Sequence, residues 1–298
     1  MKTALPSRFV IAAALLASLT ACAGEGSPPL PPLPPPRPPS TAPVPGPPAT
    51  PAAGAPLRAV PPARRSGRIE AAVPFGVGEV LDYDVSWSSF VTAGTATLVV
   101  AGKNPSAGSL AYTIMAEGQS TALVSLFYPV HYKADTLLDA YDLVPRRGSI
   151  AGEEKGVKKT RTVLFDQPAH KARFELRTTT TSTSDFKVPP GAQDALSAFY
   201  WLRSYPLRAG GRFLVPIVFN GTVVPVQVTV SAREQVRSRV GTMFAWRLTP
   251  VVLNEDELSA RKMSLWISDD GRRLPLRMQV ELPLGSFDFT LTAARKAK

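Results

Sequence analysis

An all-β domain with one or two short helices is what this sequence predicts, and three observations carry that prediction. After residue 73, apolar residues recur at every second position over most of the chain, the period of a strand with one buried face. Two such runs flank Asn220-Gly221, a pair that tolerates positive φ at both positions and is the strongest local hairpin signal. The stretch from Val73 to about Thr292 is some 220 residues long, within the range of one all-β domain.

Taken in order, the chain opens with Lys2 and Arg8 around the start of an apolar run, Phe9 to Leu19, which is the layout of a secretory signal spanning residues 1–21. Leu19-Thr20-Ala21-Cys22 follows, ending on the only cysteine of the chain. This tetrad resembles a bacterial lipobox, and the resemblance implies cleavage before Cys22 and acylation of its thiol and new amine. Each buried methylene adds roughly 0.8 kcal/mol, so several acyl chains anchor far more firmly than one. The thirteen residues Phe9–Ala21 fall short of the roughly 20 a spanning helix needs. Ala23 stands where an aspartate typically retains such lipoproteins at the inner membrane, so the expectation is a lipid anchor in the outer membrane facing the periplasm, with the inner membrane as alternative. With Cys22 consumed, the domain has no thiol for a disulfide and must stand on its own core.

Residues 22–72 read as a tether. From Pro28 to Pro62 there are seventeen prolines in thirty-five residues, which removes amides, restricts φ and leaves too little apolar content for a core. The expected state is disordered and extended, at most about 3.1 Å per residue. The formal charge of +11 invites a nucleic-acid reading that does not survive dissection. Signal and tether carry much of the excess. From Val73 onward 27 basic residues face 21 acidic ones, and Arg295, Lys296 and Lys298 of that excess sit in a C-terminus, residues 293–298, expected to be disordered. What is left is an ordinary surface and not a phosphate-tracking stripe.

Within residues 73–292, Leu81, Tyr83, Val85 and Trp87 share one face of a strand, with Asp82, Asp84 and Ser86 on the other. Thr95–Val100, Leu110–Met115, Lys159–Phe165 and Ala172–Thr178 read as further strands. Gln119–Tyr128 is apolar and unpunctuated, a candidate short helix. Ala192–Tyr205 carries Leu196, Phe199, Tyr200 and Leu202 at helical spacing and stops at Pro206, the best helix candidate. Phe213, Val215, Ile217 and Phe219 alternate into the Asn-Gly turn, and Val224, Val226, Val228 and Val230 alternate out of it. A second hairpin runs from Met263-Leu265-Ile267 through Ser268-Asp269-Asp270-Gly271 to Leu274–Leu282, and Phe287, Phe289 and Leu291 close the chain. Twelve or so antiparallel strands imply one large curved sheet, as a barrel or open half-barrel; a β-sandwich is the alternative.

Three segments carry a more specific likeness: Gly78–Trp87 with Ala93–Ala96, Asp194–Arg203, and Leu265–Pro275. Together they resemble the exported bacterial family catalogued as domain of unknown function 3108, over about Pro74 to Thr292. That resemblance implies the domain boundary and brings no activity or catalytic residues with it.

The search for chemistry finds little. His131 and His170 are the only histidines, in unlike contexts; with no second thiol and no paired spacing, neither a metal nor a cofactor is expected. Low-ranking catalytic candidates are Asp82 and Asp84, a carboxylate pair of the kind glycan hydrolysis uses, and His131 as a base. The favoured reading is a solvated strand face for Asp82 and Asp84 and a structural or surface histidine for His131. A basic group, Arg146, Arg147, Lys155, Lys158, Lys159 and Arg161 around a hairpin tip at Glu153–Gly156, suits an anionic headgroup, or else a charged edge that blocks aggregation. Trp87, Phe199, Trp201, Trp246 and Trp266 are candidates to line an apolar interior, or simply to fill it. These features point to a domain that binds a lipid or glycolipid ligand; an assembly factor with an envelope protein partner is the rival, and a hydrolase a more distant one.

Overall fold

The computed structural model describes residues 68–88, 91–106, 108–126, 129–154, 157–253, 262–282 and 285–296. Cys22, the tether before residue 68 and Lys155 lie outside the described residues. Among those described there are fourteen strands and two helices: β1 (Glu79–Trp87), β2 (Val91–Ser106), β3 (Ser109–Ser120), α1 (Ala122–Ser125), β4 (His131–Asp139), β5 (Pro145–Glu154), β6 (Val157–Asp166), β7 (Lys171–Arg177), β8 (Thr181–Lys187), α2 (Ala195–Ser204), β9 (Arg212–Phe219), β10 (Thr222–Ser238), β11 (Gly241–Val252), β12 (Met263–Ser268), β13 (Pro275–Leu282) and β14 (Gly285–Lys296).

All fourteen join one antiparallel sheet, ordered β8 through β1, then β14 back to β9. Two meanders, β1–β8 and β9–β14, are thus sewn together by the pairing of β1 with β14. A sandwich needs two sheets, so a single curved sheet is the architecture. Odd-numbered strands run toward the rim that carries α1, even-numbered strands away from it. Local chemistry sets the turns: Asn220 (φ 47°) and Gly221 (φ 80°) both take the left-handed conformation between Phe219 and Thr222, which pair.

Several expected boundaries move. The C-terminus does not fray at 293, because β14 continues to Lys296, which pairs with Glu79, while Arg295 donates to the Asp82 carboxylate. Order also begins before residue 73: the Ala71 N–H donates to the Ala140 carbonyl at 2.9 Å and Lys103 pairs with Glu70 at 2.7 Å. Within the described part of Gln119–Tyr128, residues 119–126, only Ala122–Ser125 is helical, since Gln119 and Ser120 finish β3. The longer helix starts later than its apolar pattern because Asp194 caps it, accepting from the Leu196 and Ser197 N–H groups, while Ser197 Oγ accepts from the Asp194 N–H. It ends where Tyr205 turns extended before Pro206.

The sheet rolls around α2, which touches β4 and β5 of one meander and β9 of the other. Leu196, Phe199, Tyr200 and Leu202 pack onto the face formed by Leu81, Tyr83, Val85, Phe287, Phe289 and Leu291; this is the concave face. The β9–β10 hairpin is buried on both sides. Val215 and Val226 enter the main core, while Val218 and Val223 meet Val163, Ala172 and Phe174 of β6 and β7 in a second cluster. Every core residue lies between Ala71 and Leu291, so the domain carries its own core.

Candidate functional site

Residues paired across neighbouring strands lie on one face of a sheet, so the register defines rows across the concave face. Val100, Ile114, Thr136, Gly148 and Val163 make one row. Helix α2 seals it: the Thr136 hydroxyl donates to Asp194 Oδ2 at 2.7 Å, and a Cβ at Gly148 would come within 2.8 Å of the same oxygen. Burial pushes the Asp194 carboxyl up, and the hydrogen bonds from Ser197, Thr136 and Leu196 offset only part of that push.

Two further rows lie on the α1 side of the helix. The nearer runs Leu81, Leu98, Ala116, Ala134, Ile150, Arg161; the next runs Tyr83, Ala96, Gly118, Tyr132, Gly152, Lys159. Leu98, Ala116, Ile150 and Ala96 remain half-buried, unlike the sealed row. Ile217, Val224, Val252 and Met263 are half-buried on the same face of the other meander. Small residues let the Tyr132 ring lie flat over Gly152, where a Cβ would stand 2.3 Å from it. Each row therefore grades from apolar side chains to one cation, Arg161 or Lys159. Both cations already engage neighbours within the domain.

The expected basic group is divided by this geometry. Arg146 belongs to the opposite end of the sheet, where its Nη2 donates to Asp139 at 2.8 Å. Burial favours the neutral Asp139 carboxyl, but the Tyr141 and Asp142 N–H groups, Arg146 and Ser109 outweigh it and hold its pKa below the ordinary value. Arg147 and Lys158 neighbour concave-face residues in sequence and so face the convex side, Arg147 paired with Asp135. Among the described members of the group only Lys159 and Arg161 reach the concave face, because strand alternation separates residues that sequence proximity had grouped.

The aromatic candidates scatter as well. Phe199 is core. Trp201 packs with Tyr205 and Phe213, ring centroids 4.8 and 5.7 Å away. Trp246 donates its indole N–H to Asp269 at 2.7 Å. Trp266 lies on the convex face, donating to Glu234 with the Arg277 guanidinium 5.2 Å from its ring. Trp87 stands on the concave face at the α1 rim, 42 % exposed. Asp82 and Asp84 lie on the convex face, bound by Thr97 and Arg295, and by Arg239 at 2.9 Å. His131 is exposed and 2.5 Å from Glu117. Among the described residues no cluster of His, Cys, Asp and Glu suits a metal ion, and no helix is long and apolar enough to cross a membrane.

One buried polar cluster escaped the sequence reading. The Arg203 side chain is fully buried and donates to Glu79 at 2.6 and 2.9 Å, to the Arg273 carbonyl at 3.1 Å and to the Arg272 carbonyl at 3.3 Å. The rings of Phe75 and Tyr200 flank it at 5.5 and 5.1 Å. Glu79, Arg203 and the 272–273 turn come from the three segments that carried the family likeness. Those segments are an architectural clamp between β1, α2 and the β12–β13 turn.

A rolled antiparallel sheet closed on an internal helix places the chain among barrel-like antiparallel β folds by architecture. It belongs to the family described as protein of unknown function, DUF3108, whose model matches residues 82–292. Among solved structures it resembles a β-barrel-like protein of domain of unknown function DUF1849 from Brucella abortus, with a TM-score of 0.52 at 14 % identity, covering 76 % of this chain and 100 % of that one. Looser overlaps, each with 76 % and 100 % coverage, are to a protein with a YmcC-like fold from Bacteroides fragilis (TM-score 0.34, 9 % identity) and to one described as a lipoprotein from Parabacteroides distasonis (0.29, 8 %). The likeness to the Brucella abortus structure supports the fold and nothing further. No curated protein matches in sequence.

Proposed function

We propose that this chain is a cell-envelope lipoprotein, acylated at Cys22 and held at the outer membrane by its proline-rich tether, whose β domain binds an amphiphilic envelope component. The ligand class is a lipid or lipid-linked glycan, bound without covalent chemistry. One observation carries the reading: in the two rows beyond the sealed one, Ala96, Leu98, Ala116 and Ile150 stay half-buried among the buried Leu81, Tyr83, Tyr132 and Ala134, and each row ends on a cation, Arg161 or Lys159. An acyl chain gains from contact with Leu98, Ala116 and Ile150. An anionic head gains a charge-assisted contact at the other end of the same row.

Native mass spectrometry on residues 69–298, recovered from bacterial periplasm without detergent, tests this. The expected result is a stoichiometric lipid or glycolipid adduct that Arg161→Glu diminishes. A clean apo mass counts against the reading and favours a scaffold that meets a protein partner, which crosslinking on whole cells then addresses.

A further inference from the structure

Helix α1 is built to stand away from the domain. None of its residues is buried, and the two leucines of this segment, Leu123 and Leu126, are 66 % and 77 % exposed. The segment is nonetheless well fastened: the Thr121 N–H donates to the Ala93 carbonyl at 3.0 Å, the Ser125 N–H to the Thr121 carbonyl at 2.8 Å, and the Ser120 and Ser125 hydroxyls share a hydrogen bond of 2.7 Å. A fixed turn that presents leucines to water forgoes burial worth about 1.5–3 kcal/mol for each. At the same rim Trp87, Val157, Val251 and Leu253 are 40–50 % exposed. These side chains come from the end of β1, the start of β6 and the end of β11, and are thus spread around the rim.

We propose that this rim docks on a lipid bilayer, with Leu123 and Leu126 entering the acyl boundary and Trp87 at headgroup level, where amphipathic rings concentrate. The chain outside the domain identifies the occupant. Forty-six residues, Ala23–Arg68, separate the expected acyl anchor from the domain, a contour of up to about 140 Å. The chain enters the domain at the opposite end, where Ala71 bonds Ala140. The twelve-residue β3 gives the sheet a length of about 40 Å. The tether is therefore long enough to let the far rim turn back onto the membrane that holds the anchor. The inference rests on acylation of Cys22, and it places the ligand face proposed above next to a lipid source.

The test uses the mature acylated chain in liposomes. Its one native thiol is consumed, so Leu126→Cys and, separately, Arg272→Cys at the opposite end each accept one environment-sensitive fluorophore. The probe at 126 should shift to the blue and be quenched severalfold by brominated lipids, while the probe at 272 should stay in water. Adding Leu123→Asp should return the 126 probe to its aqueous spectrum with the circular dichroism unchanged, since α1 contributes nothing to the core. A chain that floats with the vesicles while both probes remain aqueous overturns the docking rim alone. A chain that fails to float removes the anchor and overturns the proposal with it. Shielding of the 126 probe without lipid quenching, arising only when envelope proteins are present, makes the rim a protein interface and equally overturns it.

Discussion

Glu79→Leu is the perturbation that probes this architecture most directly. Arg203 keeps its proton at any accessible pH, and its side chain is fully buried. Removing Glu79 leaves that charge with two turn carbonyls and two aromatic faces. Breaking a buried pair from one side costs about 3–5 kcal/mol. Arg203→Met is expected to be milder, about 2–3 kcal/mol, because the freed Glu79 carboxylate is already 15 % exposed and can regain water. The double variant replaces the pair by an apolar contact of similar volume, which is often close to neutral, so a coupling of at least about 2 kcal/mol is expected. Thermal and urea unfolding of residues 69–298, followed by circular dichroism, reads this. At about 2–4 °C per kcal/mol for a domain of this size, Glu79→Leu should lower Tm by about 6–20 °C. A loss under about 1 kcal/mol for Glu79→Leu, or a double variant as unstable as the two singles summed, would refute the clamp.

Other expectations concern packing, pH and binding. Gly152→Ala drives a Cβ into the Tyr132 ring and should cost about 1–3 kcal/mol; Gly271→Ala, with open space around it, should stay within about 0.5 kcal/mol, and equal effects would mean the ring does not lie where described. Asp139→Asn should cost about 1.5–3 kcal/mol at neutral pH. Because the folded carboxyl titrates below its ordinary value, its contribution is present above the unfolded pKa of about 3.9 and is lost as pH falls through the lower folded value. The gap between native and Asp139→Asn midpoints should therefore close in acid; a gap that is constant down to pH 2 contradicts the assignment. Ile150→Glu sets an acid beside Arg161, its partner across the β5–β6 pair, and should reduce co-purifying lipid at least tenfold, about 1.4 kcal/mol, whereas Arg147→Glu on the convex face should leave lipid occupancy unchanged.

Much of the fold was legible because strand alternation and turn chemistry are local. The β9–β10 hairpin follows from two alternating runs around Asn220-Gly221, and β1 and β14 from their clean period of two. β4, β5 and β8 were harder to see. β4 mixes His131, Lys133 and Asp135 with buried Tyr132 and Ala134, and β8 is almost wholly exposed Thr and Ser, so hydrophobicity alone does not mark them. The two half-buried rows had a faint signal in small residues at alternate positions, Ala96 in β2 and Ala116 and Gly118 in β3. The basic group misled because Lys158 and Lys159 are adjacent in sequence yet face opposite sides of the sheet.

By itself, then, the amino-acid sequence determined a single antiparallel β domain, and it predicts an exported-type N-terminus ending at Cys22 and a proline-rich segment with too little apolar content for a core. Each follows from local composition or periodicity, which a chain expresses without reference to distant residues. Only the tertiary structure decided that β1 and β14 meet, that α2 seals one row while Ala96, Leu98, Ala116 and Ile150 in the next two stay half-buried, and that Arg203 finds Glu79 across 124 positions. Those outcomes depend on register and on how far the sheet rolls. Both are set by the collective demand that apolar faces and buried charges find partners at once, and no local segment encodes that alone.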